Sequence, residues 1–179
     1  MARAGLADEQ QAEAGRLLRD AILALPEAQM AGTVAAYYSI DTEPSTRSLV
    51  YALWKRGTYV LLPLARSDGE LDWGSYEGPD SMTLASNGLL EPAEAQVRHS
   101  IASADLVIVP ALAADRRGNR LGRGRGYYDR ALTRVGPLIP TIVLLYDGEL
   151  FDVVPSGRLD HPVRMAAQPT AGLTRLTPP

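Results

Sequence analysis

The sequence predicts an α/β domain with a mostly parallel central sheet flanked by helices. Three observations carry that expectation. Four runs, Thr33 to Ile40, Tyr59 to Leu64, Asp105 to Pro110 and Thr141 to Tyr146, are almost continuously apolar and rich in β-formers, as strands are when helices cover both faces of a sheet. Segments with apolar residues at three- and four-residue steps precede or separate them, which is helical spacing. The order strand, helix, strand is the unit that closes into a parallel pair with a right-handed crossover.

Taken in order, Asp8 to Leu25 places Ala14, Leu17, Leu18, Ala21, Ile22 and Leu25 on one face and is stopped by Pro26, a residue that cannot continue a helix. Thr33 to Ile40 is a buried strand bounded by Gly32 before and by Asp41, Glu43 and Pro44 after. Thr46 to Arg56 returns to helical spacing through Leu49, Val50, Leu53 and Trp54 and closes on Lys55-Arg56-Gly57, cations in the last turn and then a glycine. A second strand follows at Tyr59. Ser67 to Pro92, rich in Gly, Asp, Ser and Pro, reads as a surface excursion, with Leu71 to Tyr76 alternating like an exposed edge strand. Then come a helix from Glu94 to Ala104, the third strand, a helix from Tyr127 to Val135 and the fourth strand. After Asp152 no element is assignable. No repeat and no dividing linker interrupts the chain, so residues 1–179 form one domain.

Composition bounds the function classes. The chain has 179 residues, 46% hydrophobic, enough for one sizeable core. Eighteen Lys and Arg against 21 Asp and Glu give a net charge of -3, which does not favour a nucleic-acid partner or an anionic membrane surface. Lys55 is the only lysine, an arginine bias ascribed to genome base composition. The absence of cysteine removes disulfides, thiolate nucleophiles, zinc–cysteine sites and iron–sulfur clusters. The first residues lack the apolar stretch of a signal peptide, and no run approaches the ~18 apolar residues of a membrane span. A cytoplasmic protein is expected.

The chemistry concentrates in Asp115 to Asp129, which follows the third strand. In open parallel sheets ligands bind beyond the carboxyl ends of the strands, where a glycine loop entering a helix offers N–H groups and a positive dipole end to phosphate. Gly122, Gly124 and Gly126 alternate with Arg123 and Arg125. That spacing lets backbone approach a phosphate while guanidiniums supply charged donors. Neither the Walker pattern nor the dinucleotide fingerprint is present, and by pattern alone the run fits a flexible turn or an RNA-binding tract as well. Asp129, in the first turn of the next helix, reads as a capping acid or a Mg2+ ligand. Tyr127 and Tyr128 offer flat faces and hydroxyls to a ring, or ordinary core packing.

Asp105-Leu-Val-Ile-Val-Pro110, then Asn119-Arg-Leu-Gly, the alternating glycines and Tyr127-Tyr-Asp129, resemble the signature of the 5-formyltetrahydrofolate cyclo-ligase family. Tyr37-Tyr-Ser-Ile with Glu43 and Thr46, Val60-Leu-Leu-Pro, and Gly88-Leu-Leu-Glu-Pro92 look like further landmarks in order. The resemblance implies a domain akin to the sugar-phosphate isomerase and CoA-transferase group that uses Mg-ATP to close 5-formyltetrahydrofolate into 5,10-methenyltetrahydrofolate. In that reaction the formyl oxygen attacks the γ-phosphate, and N10 then displaces the activated oxygen. It further implies that Arg120, Gly122, Arg123, Gly124, Arg125, Gly126, Tyr127 and Tyr128 bind ATP, with Arg123, Arg125 and Tyr127 at the reacting groups. Asp129 would hold Mg2+, and Tyr38, Glu43 and Tyr127 would face the reduced folate. A monomer is expected.

Two departures from the family pattern stand out. The Lys-x-x-x-Arg segment that usually opens the first helix is missing, so the chain looks shortened by a turn or two. Leu159-Asp-His-Pro-Val-Arg164 places Asp160 on a His-Asp landmark but puts Arg164 where a second acid near the metal is expected. His161 and His99 read as surface residues. These departures keep open a folate- or nucleotide-binding homologue without turnover.

Overall fold

The structure, a computed structural model, describes residues 3–86, 88–92 and 100–178. Helix α1 (Asp8–Leu23) buries Ala14, Gly15, Leu18 and Ile22, one stripe at helical spacing. Pro26 does more than stop it. It opens a second short helix, α2 (Pro26–Met30), because the fixed φ and missing N–H of proline suit a first helical turn. Helix α3 (Arg47–Lys55) buries Leu49, Val50 and Leu53, and α4 (Tyr127–Leu132) buries Ala131 and Leu132.

The strands are β1 (Thr33–Ala35), β2 (Tyr59–Ala65), β3 (Leu71–Ser75), β4 (Met82–Leu84), β5 (Leu90–Pro92), β6 (Leu106–Pro110), β7 (Ala113–Asp115), β8 (Arg120–Leu121), β9 (Thr141–Leu144), β10 (Leu150–Phe151), β11 (Met165–Gln168) and β12 (Gly172–Arg175). The main sheet has the order β12-β11-β9-β6-β1-β2-β3. Its inner strands β11, β9, β6, β1 and β2 are parallel, and β12 and β3 close the two edges antiparallel. β1, α3 and β2 form the expected parallel unit, with Val34 opposite Val60. β10, β7 and β8 make a small second sheet, and β4 and β5 a hairpin.

Successive residues of one strand serve opposite layers. Leu106 and Ile108 join Leu18, Ile22, Leu49 and Leu53 in one cluster, while Val107 and Val109 join Ala131 and Leu132 in the other. Burying each Val, Leu or Ile among them contributes about 1.5–3 kcal/mol. The two-sided burial explains why the inner strands read as unbroken apolar runs.

Several boundaries differ from the sequence expectation. Ladder pairing of the first strand ends at Ala35 and does not reach Ile40. There the chain turns into a loop closed on itself: Tyr37 Oη donates to the Pro44 carbonyl at 2.8 Å, Thr46 Oγ1 donates to the Tyr37 carbonyl at 2.6 Å, and Ser39 and Thr46 exchange backbone-to-hydroxyl bonds. Leu71 to Ser75 is an edge strand but not an exposed one, since α4 and β5 pack against it and Leu71 and Trp73 are buried. Most of the helix expected from Glu94 lies outside the described residues, and Ile101–Ser103 forms a 3-10 turn. α4 ends at Leu132 and hands over to tighter turns at Arg134 and Val135. The unassigned tail supplies β11 and β12; its Met-Ala-Ala-Gln run lacks the β-branched residues that mark strands.

This topology sets the carboxyl ends of β1, β6 and β9 side by side. The loops leaving them, 36–46, 111–126 and 145–149, form one rim.

Candidate functional site

The chain leaving β6 does not enter the glycine loop directly. It first makes the hairpin β7–β8, whose turn is held by Asp115. That buried carboxylate accepts the Arg117 and Asn119 N–H groups at 2.9 and 3.0 Å, Asn119 Nδ2 at 2.9 Å and the Val154 N–H at 3.2 Å. Burial works to raise its pKa, but these donors win and leave it below the ordinary carboxylate value. In the same turn Gly118 has φ 83°, and a Cβ there would lie 2.2 Å from the Val163 carbonyl oxygen. Only glycine fits.

The braced hairpin delivers an exposed loop, Gly122 to Arg125, into α4. Gly124 and Gly126 adopt φ 83° and 66°, and a Cβ on Gly126 would stand 2.9 Å from Arg130 Nη1. The Arg130 guanidinium pins the far side of the loop through the Arg125 carbonyl at 2.9 Å and the Gly69 carbonyl. The Arg125 side chain is exposed and makes no hydrogen bond or ion pair among the described residues.

Under the loop sits Arg120, its side chain 3% exposed, with Nη2 2.6 Å from Asp129 Oδ1. The same oxygen accepts the His161 N–H at 3.1 Å. Burial pulls the Arg120 pKa down, and Asp129, then Tyr128 and Asp160, push it back up. Its Nε is buried without a partner. Asp129 is therefore neither open to solvent nor sealed among aliphatic side chains: one oxygen is shared by a guanidinium and a backbone donor, and Oδ2 bears no hydrogen bond among the described residues. Burial, helped by Arg120 and opposed by Asp129, lowers the His161 pKa.

Arg123 links the glycine loop to the rim of β1. Its Nη1 lies 3.2 Å from Asp41 Oδ2 and its Nη2 3.7 Å from Glu43 Oε1. Glu43 is largely buried, and its Oε2 accepts the Ile40 N–H at 3.1 Å. Burial raises its pKa, and the Ile40 N–H, Arg123 and Arg3 oppose the rise. Asp41 and Glu43 also line a cavity of about 300 Å3, shared with Asp8, Gln11, Ala12, Ser39, Ser45 and Arg47.

The predicted aromatic residues are placed less uniformly. Tyr127 packs on the α4-side cluster beneath the Arg130 guanidinium, 5.7 Å from its ring centroid. Tyr128 packs against both clusters, and burial, helped by Glu43, drives its phenol pKa far up. Tyr38 stacks 6.3 Å from Tyr76 and lies under Arg47 at 5.1 Å. The structure thus gathers Arg123, Glu43, Arg120, Gly122 and Asp129, leaves Arg125 outward, and turns Tyr128 into the core. Arg164 is spent elsewhere: its guanidinium bonds the Pro137 carbonyl and its N–H the Thr141 hydroxyl, at the amino end of β9. His99 lies outside the described residues.

The sequence did not single out Arg3, Tyr146 and Glu149, which meet at the same rim. Arg3 forks onto Glu149 with two 2.7 Å contacts. No local pattern marks a pair 146 residues apart.

An α/β sheet with a glycine loop, a buried guanidinium–carboxylate pair and an acid-lined cavity at its carboxyl rim has the layout of the α/β small-molecule-binding class, whose ligands sit beyond the carboxyl ends of the strands. Comparison with known proteins names the family. A model of the 5-formyltetrahydrofolate cyclo-ligase family matches residues 1–169, and this chain belongs to that family. It is 38% identical over 150 residues to the 5-formyltetrahydrofolate cyclo-ligase of Mycolicibacterium smegmatis, covering 80% of this chain and 77% of that protein. To the protein of that name from Escherichia coli K12 it is 35% identical, covering 73% of each. The solved structure of Aquifex aeolicus 5,10-methenyltetrahydrofolate synthetase superposes with a TM-score of 0.84 at 28% identity, over 97% of this chain and 87% of that one.

Proposed function

We propose that this protein catalyses the ATP-dependent closure of 5-formyltetrahydrofolate to 5,10-methenyltetrahydrofolate, with release of ADP and phosphate. Family membership supports the reaction, and one geometric observation supports its location. Arg123 reaches from the glycine loop to Asp41 and Glu43, so a phosphate on the loop and a folate in the cavity would meet across one guanidinium.

The roles follow from donors and acceptors. N–H groups of the loop from Gly122 to Gly126, with Arg123 and Arg125, take the nucleotide phosphates. Arg120 holds Asp129 in place under the loop. Glu43 accepts hydrogen bonds from the pterin ring N–H and amino group, with Tyr38 and Tyr127 bordering the two ligands. Arg123 neutralises charge on the transferred phosphoryl group, where catalysis is mostly placement and electrostatics. When the nucleotide binds, Arg123 exchanges its carboxylate partners for phosphate oxygens, which frees Glu43 for the pterin before the phosphoryl group moves to the formyl oxygen.

Magnesium fits the donor set. Asp129 offers Oδ2, and Asp160 adds a second acid near Arg120, so two carboxylates face one guanidinium and leave net negative charge. One or two carboxylates suffice for an ion whose other ligands are substrate phosphates and water; among the described residues no group of three His, Cys, Asp or Glu could hold one by itself. When bound, the ion would neutralise charge on the nucleotide phosphates. We place the enzyme in the cytoplasm as a monomer; no helix among the described residues is long and apolar enough to cross a membrane.

Formation of the methenyl chromophore from 5-formyltetrahydrofolate and Mg-ATP, followed by absorbance with purified protein, tests the assignment. Product stoichiometric with ADP is expected. Ligand-induced melting shifts without product would replace it with a binding protein lacking turnover.

A further inference from the structure

The Arg3–Glu149 pair is buried, far apart in sequence and unused by the reaction above. Its contacts reach all three loops of the rim. Arg3 Nη2 donates to the Ala111 carbonyl at 2.5 Å, just past β6. Arg3 Nε and Nη2 engage Glu149 Oε1 and Oε2, in the loop after β9. Glu149 Oε2 also accepts the Tyr146 N–H at 2.8 Å, and the Arg3 guanidinium lies 5.5 Å from the centroid of the Tyr146 ring. The Tyr146 hydroxyl then reaches the Glu43 carbonyl at 3.4 Å, in the loop after β1. Side-chain exposures of 9% and 12% for Arg3 and Glu149 keep water from competing for these bonds.

We propose that Arg3 is a positioning residue for Glu43: one guanidinium ties the loops after β1, β6 and β9 together, so that Glu43 keeps a single place on the cavity wall. The inference rests on Glu43 being the folate acid. Arg3 also acts on Glu43 through charge. The groups that face this carboxylate are Arg123, Arg3, Asp41, the Ile40 N–H and the phenols of Tyr37, Tyr128 and Tyr146, with Asp8 and Arg47 on the wall of the same cavity. Arg123 and Arg3 are the cations that hold its pKa down, and Arg123 is the one that turnover recruits to phosphate. Arg3 is then the one of these two that stays.

The test uses Arg3→Met, Arg3→Lys and Tyr146→Phe in the full chain. In Arg3→Met the KM for 5-formyltetrahydrofolate should rise about tenfold, the loss of about one charge-assisted interaction, with the KM for ATP within about twofold by the same reckoning. The acid limb of kcat/KM should move to higher pH, and Arg3→Lys should return it toward wild type. Tyr146→Phe should raise the folate KM with an unchanged melting temperature and an unchanged acid limb. Carboxylate titration of Glu43 by NMR in the ligand-free protein reads the charge effect without turnover, so it separates failure of this inference from failure of the reaction assignment. If Arg3→Met does not fold, Tyr146→Phe carries the test through the folate KM. Coincident Glu43 titrations and pH limbs in wild type and Arg3→Met, an unchanged folate KM in Tyr146→Phe, or equal rises in both KM values, would overturn it.

Discussion

Arg120 Nη2 and Asp129 Oδ1 stand 2.6 Å apart beneath the glycine loop, the guanidinium almost fully enclosed. A buried pair of this kind is weak evidence of stabilisation in itself, but removing one partner strands a charge away from water. Asp129→Asn should therefore lose about 3–5 kcal/mol of unfolding free energy, as well as activity. The double variant Arg120→Met, Asp129→Leu should regain most of the stability and none of the turnover. Chemical denaturation and the methenyl absorbance assay separate the two effects.

Arg123 is half exposed and joins the loop to Asp41 and Glu43. Its replacement by Ala should change stability by less than about 0.5 kcal/mol while lowering kcat/KM about 10- to 100-fold, the equivalent of roughly 1.4–2.8 kcal/mol of transition-state binding. Steady-state kinetics beside a melting curve would show this split.

Gly118→Ala should be among the most damaging single changes. The φ of 83° and a Cβ position 2.2 Å from a backbone oxygen give no flexible side chain a way to yield. A loss of about 2–4 kcal/mol is expected from strain and displacement of the Val163 strand entry. Equilibrium unfolding in urea would measure it.

Asp115 couples the same hairpin to pH. Because its folded pKa is depressed, its stabilising contribution is complete above its unfolded pKa of about 4 and is lost as pH falls through the folded value. Asp115→Asn should cost about 2–3 kcal/mol at pH 7, and the gap between wild type and variant should shrink steadily below about pH 4. Thermal unfolding from pH 7 to pH 2.5 checks the sign.

Local rules located the buried strands, α1, α3, the glycine loop and the place of Asp129 in the first turn of α4, because periodicity, proline and glycine act within a few residues. The same rules ran the first strand on to Ile40, where side-chain bonds among Tyr37, Ser39, Pro44 and Thr46 end the ladder early. They passed over β11 and β12, which a neighbouring strand holds in place against weak propensity.

What the sequence determined alone was the class of sheet, the position of the glycine loop and the family, each carried by contiguous residues. Only the tertiary structure decided that Arg120 answers Asp129, that Arg123 spans to Glu43, and that Arg3 braces the rim through Glu149. The physical reason is that a charge enclosed by protein must find a partner, and that partner is chosen by the topology of the sheet, which brings residues 9, 80 and 146 positions apart to within 4 Å.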